Sequence, residues 1–194
     1  MAEDDDARRS IRLTDPRTMR ALAHPLRLRL LGELRTHGPQ SVGQLGDRLD
    51  EAPGSISYHV GQLAEFGFVE PAPELARDRR ERWWRAAHQQ TSWEPLEMLD
   101  DPEQRVAGGV LRRAVLNGYQ AALEKYLEAE PTEDRDWVRG AVSSDALLHL
   151  TADELSELRA DLEALEDRWQ ARSRPDRDGS RPVTLIYHAF PRPQ

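Results

Sequence analysis

The sequence predicts an α+β protein in three parts: a helical segment closed by a β-hairpin, a long linking helix, and a small C-terminal α/β unit. Three observations predict this. Ser41 to Val69 has the apolar spacing of two short helices meeting at a tight turn, and a Pro- and Arg-rich hairpin pattern follows it. Residues 103–129 carry apolar side chains around more than half of a helix circumference. Residues 131–194 alternate strand, helix and strand patterns.

The elements follow in chain order. Residues 1–14 read as an acidic tail. Asp15-Pro16 is an N-cap acid followed by proline at the first helical position, so a short helix runs to about Ala23. His24-Pro25 restarts a second helix, and Gly38-Pro39 stops it. Ser41 caps a third helix with Val42, Leu45 and Leu49 on one face. Asp50–Ala52 make a turn, and Pro53 opens a fourth helix that buries Ile56, Val60 and Leu63. Gly67 ends it. Phe68-Val69 begins a strand, Pro71 and Pro73 make it an edge strand, and residues 82–86 return. Arg77, Arg79 and Arg80 sit at the tip.

Ser55, Tyr58 and Gln62 fall together opposite the buried stripe of the fourth helix. Small and hydrogen-bonding side chains on the open face of such a helix suit base edges in the DNA major groove. Gly54 and Ser57 lie near the helix N-terminus, where backbone N–H groups can hold a phosphate. Arginines on a hairpin beside it suit phosphates or the minor groove. The plainer alternative is a helical hairpin and a charged turn that meet only water.

Charge distribution agrees with the first reading. The 194 residues carry a net charge of −8. Residues 1–7 hold four acids and no base, residues 8–90 hold 14 arginines against 10 acids, and residues 91–194 hold 13 bases against 21 acids. Positive charge is thus concentrated around the helix pair, and local field matters more than total charge. Arginine supplies every basic residue except Lys125, so its abundance alone argues little.

In this setting the segment from about Asp15 to Ala87 resembles the winged helix-turn-helix of ArsR-type bacterial repressors. The residues carrying the resemblance are Ala21-Leu22-Ala23-His24-Pro25-Leu26-Arg27, Ser57-Tyr58-His59-Val60, Leu63 through Val69, and the Arg-rich hairpin. The resemblance covers roughly 40% of the chain. It implies a sequence-specific DNA-binding regulator, usually a homodimer, with Ser57 and His59 on the recognition helix. His59 flanks the buried stripe and reads as partly structural.

One departure is chemical. Many members of that family sense metals through cysteines or Asp/His sets. This chain has no cysteine, which excludes disulfides and thiolate metal sites. Its six histidines (24, 37, 59, 88, 149 and 188) show no i, i+3 or i, i+4 pair on one helix. The expectation is therefore no metal and no cofactor. Catalytic residues are not expected either: no glycine-rich phosphate loop, nucleophile elbow or zinc protease signature is present.

Residues 91–100 read as a linker. Asp101-Pro102-Glu103 starts the long helix, which needs cover on more than one side and so predicts a homodimer. In the last third, residues 137–142 and 183–190 read as strands, and Thr151-Ala152-Asp153-Glu154 as a capping box before an amphipathic helix. The expected organisation is a tail (1–14), a winged helix-turn-helix DNA-binding domain (15–90), a linker and dimerisation helix (91–130) and the α/β unit (131–194). No signal peptide or membrane span is legible, so a cytoplasmic protein is expected. Expected partners are double-stranded DNA, a second copy and possible small organic effectors. The alternative function is a winged-helix protein–protein adaptor that never binds DNA.

Overall fold

Two cap-and-proline pairs start the first two helices. In the computed structural model, which describes residues 10–78 and 81–192, Asp15 caps α1 (Pro16–Leu22) and accepts hydrogen bonds from the Thr18 amide at 2.8 Å and its hydroxyl at 2.7 Å. His24 caps α2 (Pro25–His37), which ends at Gly38 with φ +73°. Proline at the first position gives up an N–H that would have had no partner there.

Before α1 lies a strand that the sequence analysis leaves inside the tail. β1 (Ser10–Arg12) pairs in parallel with β5 (Gln90–Ser92), in the stretch where the linker was expected to begin. Leu13 is buried beside it. A parallel pairing between segments some eighty residues apart has no local signature.

The helix pair forms as its pattern requires. Ser41 and Gln44 make a reciprocal capping box at the start of α3 (Val42–Leu49). Asp50 turns the chain in the left-handed region, φ 54°, and α4 (Pro53–Glu65) follows. Ile56, Val60 and Leu63 of α4 join Leu26, Leu30, Leu31 and Leu34 of α2 and Leu45 and Leu49 of α3 in one core. Each such side chain contributes roughly 1.5–3 kcal/mol by leaving water.

The hairpin follows α4 at once. β3 (Val69–Pro71) pairs antiparallel with β4 (Trp83–Ala86), and β4 also pairs with β2 (Gln40–Ser41), so β4 is central and Pro71 lies on an edge. Phe68 and Val69 fasten the hairpin base to the core.

The residues expected to be a plain linker carry Met98, which is buried against α5 (Pro102–Ala129). Met98 sits over Gly108, where a side chain would collide with its sulfur. Asp101 caps α5 by accepting from the Glu103 amide at 2.7 Å. Of α5 only Ala107, Gly108 and Leu111 are buried, while Val106, Val110, Leu116, Tyr119, Leu123 and Leu127 are exposed.

The chain divides into units Met1–Leu127 and Glu128–Gln194. The second corrects two sequence expectations. Residues 137–142 were expected to be a strand, but Arg135–Gly140 is a short helix, α6. Asp134 caps it, accepting from the Asp136 amide at 2.8 Å, and Arg139 pairs with Asp136 across one turn. With no strand beside it, a local cap outweighs a brief alternation. Residues 183–190 were also expected to be a strand. They belong to no sheet, because no segment among the described residues offers them a backbone ladder. The helix between them is as expected: α7 (Ala152–Arg172) opens with the Thr151–Glu154 capping box. The described part of this unit is therefore helices joined and followed by irregular chain, with no paired strands. Tyr187 donates to Glu166 of α7 at 2.6 Å, and Arg181 grips Glu133 through two bonds of 2.8 and 3.0 Å.

Candidate nucleic-acid interface

The open face of α4 is set by which residues its core stripe excludes. With Ile56, Val60 and Leu63 buried, Gly54, Ser57, Tyr58, Gly61 and Glu65 are exposed, and Ser55, His59 and Gln62 lie half-buried at its margins. Tyr58 is 62% exposed. The face is thus centred one residue away from the Ser55, Tyr58, Gln62 line drawn from the sequence. Gln62 donates to Glu65 at 3.0 Å, so its amide is oriented along the helix. Gly61, like Glu65, is a face residue outside the set predicted from the sequence. It packs on nothing, since a Cβ there would meet no atom within 4 Å.

Behind this face lies a contact with no sequence signal. The ring of His59 meets that of His24, with centroids 4.4 Å apart, and its other neighbour is the ring of Tyr58, edge-on at 5.0 Å. Burial and the nearby Arg27 guanidinium push the His24 imidazole below its ordinary range. Burial, His24 and Arg27 do the same for His59, opposed by Glu51. Both rings are therefore neutral at neutral pH.

On the hairpin, Arg77 is exposed, and its backbone amide donates to Glu81 at 2.9 Å. That bond holds the Glu81 carboxyl below its usual range. Arg79 and Arg80 lie outside the described residues. Two further arginines are occupied internally. Arg85 pairs with Glu70 and Glu74. Arg35 donates to the His88 carbonyl at 2.9 Å and the Thr91 hydroxyl at 2.8 Å, and burial lowers its guanidinium to about 10. Arginine count along the sequence thus overstates the cations available on the surface.

Among the described residues no group of three or more metal-binding side chains comes together, and no helix is long and apolar enough to cross a membrane.

Two helices joined through a left-handed turn, an exposed second helix and an adjoining antiparallel hairpin define an α+β winged helix-turn-helix. A family model described as a helix-turn-helix domain matches residues 22–72, from the end of α1 to just past β3. No curated protein matches the chain. Among solved structures it is similar to a double mutant of Lactococcus lactis ZitR in its apo form, at 14% identity and a TM-score of 0.30, over 75% of this chain and 82% of that one.

Proposed function

We propose that this protein is a sequence-specific DNA-binding transcriptional regulator of the ArsR type, acting as a homodimer. The observation that carries the reading is the exposed face of α4. A helix whose other side is locked in the core presents Gly54, Ser57 and Tyr58 outward beside an arginine-bearing hairpin, within a segment matched by a helix-turn-helix model. In this reading Ser55, Tyr58 and Gln62 meet base edges, with His59 setting the Tyr58 ring. Gly54 and Ser57 approach a phosphate, and Arg77, Arg79 and Arg80 meet the backbone or minor groove.

The exposed stripe Leu116, Tyr119, Leu123 and Leu127 has the spacing of a helix–helix seam. A second copy paired there would place two α4 helices about one DNA turn apart, roughly 34 Å, on a palindromic site. Repression, placement in the cytoplasm and control by an organic ligand rather than a metal complete the proposal. The domain boundaries are those given above, 15–90 for DNA and 91–130 for pairing.

The experiment is selection of bound sequences from random duplex DNA, followed by affinity measurements on the selected and a scrambled duplex at several salt concentrations. A regulator binds the selected duplex more tightly, and binding to both weakens steeply with salt. Absence of salt-dependent binding to any duplex would replace this reading with the protein–protein adaptor.

A further inference from the structure

His24 and His59 come from different helices and meet where the start of α2 packs on α4, their ring planes at 36°. Each resists a second proton for its own structural reason. His24 Nδ1 accepts the Leu26 amide at 3.2 Å and so caps α2. An imidazole nitrogen accepts only while it carries no proton, so a charged His24 loses the cap. His59 Nδ1 is buried and has no hydrogen-bond partner among the described residues. Imidazolium carries N–H on both nitrogens, so a charged His59 would place a buried donor where nothing accepts it.

The surroundings add to this. Arg27 of α2 faces both rings, and its own Nε is buried without a partner. Its Nη2 donates to the Arg20 carbonyl of α1 at 3.5 Å. Among the described residues Glu51 in the turn is the one anion acting on His59, and it is also 3.9 Å from Arg29. The phenol of Tyr58 completes the set from α4.

We propose that His24 and His59 are positioning residues for Tyr58 that work only as a neutral pair, so that mild acid weakens DNA binding. This rests on the DNA-binding reading of α4. Protonation uncaps α2, strands a donor beside Arg27 and places a positive charge on the ring that Tyr58 meets edge-on. The sign is diagnostic. Histidines that face phosphates gain charge in acid and tighten binding. An internal pair of this kind does the opposite.

The test follows affinity for the selected duplex from pH 8 to pH 5.5 at constant ionic strength, for wild type and His24→Asn. Asparagine keeps an N-cap acceptor and takes up no proton in this range. Wild type should lose affinity toward the acid end of this range, below where ordinary histidine titrates, approaching tenfold per pH unit for each proton linked to release. His24→Asn should bind somewhat more weakly already at pH 8, because the ring against His59 is gone, and should lose much less further affinity in acid. A flat or rising wild-type profile, or an equal loss in the variant, overturns the proposal. Ring NMR signals of the free wild-type protein give a second readout. His24 and His59 should titrate below ordinary histidine, and the Tyr58 ring signals should move with them. Ordinary titration with a static Tyr58 overturns the pairing whether or not any duplex binds. Failure of wild type to bind DNA at pH 8 refutes the DNA-binding reading alone, and the NMR titration still decides the pair.

Discussion

Gly46 and Glu51 meet across the turn between α3 and α4. The Glu51 amide donates to the Gly46 carbonyl at 3.0 Å, and a Cβ on Gly46 would lie 2.9 Å from the Glu51 carbonyl oxygen. The obstacle is backbone and cannot swing aside. Gly46→Ala should therefore destabilise the protein by about 1–3 kcal/mol. Gly61→Ala is the control. It lies inside a helix with nothing within 4 Å, so it should stabilise by about 0.5–1 kcal/mol. Urea unfolding of both variants checks the pair, and a destabilised Gly61→Ala would show that this face is packed rather than open.

Reading and anchoring fail differently. Gln62→Ala should cost about 1–3 kcal/mol on the selected duplex and little on scrambled DNA. Arg77→Ala should weaken both duplexes alike and lower the salt slope by about one. Fluorescence anisotropy at several salt concentrations separates the two. Identical profiles would mean that helix and hairpin have been given the wrong roles.

Leu123 lies on the exposed stripe of α5, outside the core of its own unit. Leu123→Glu should leave the midpoint of helix unfolding at low concentration nearly unchanged, yet separate the dimer into monomers by buried like charge. Sedimentation at low micromolar concentration measures this. A wild-type monomer, or a variant that still pairs, excludes this stripe as the seam.

The Tyr187 phenol is pushed up to about 12 by its hydrogen bond to Glu166, with burial adding to the shift. Its folded value lies above its unfolded value. The contact therefore contributes fully below about pH 10 and is lost as pH rises through 12. Phenolate absorbance should show a late-titrating component, and Glu166→Gln should bring it earlier. No late component in wild type would place Tyr187 away from α7.

Much of the first unit was legible because its signals are local. Asp15-Pro16, Ser41 and Pro53 each satisfy or avoid a backbone group within one turn, and the structure shows them in those roles. The parallel pairing of Ser10–Arg12 with Gln90–Ser92 was illegible, because neither segment shows its partner in its own residues. The same distance hid His24 from His59. Residues 137–142 and 183–190 failed for another reason. Alternation states a preference for pairing, while pairing itself requires a neighbour. On the open face of α4, counting at 100° per residue found Tyr58 but placed its companions one position off, because real burial follows the neighbouring helices.

Arg35 reaches from α2 to both His88 and Thr91, so two bonds from one planar group span the chain as it leaves the hairpin. A guanidinium measures distance as well as carrying charge. The stretch between those two anchors therefore has a fixed length. An insertion between residues 88 and 91 must give up one grip or the other. Lysine, with a single point of attachment, would relax that gauge while preserving the charge.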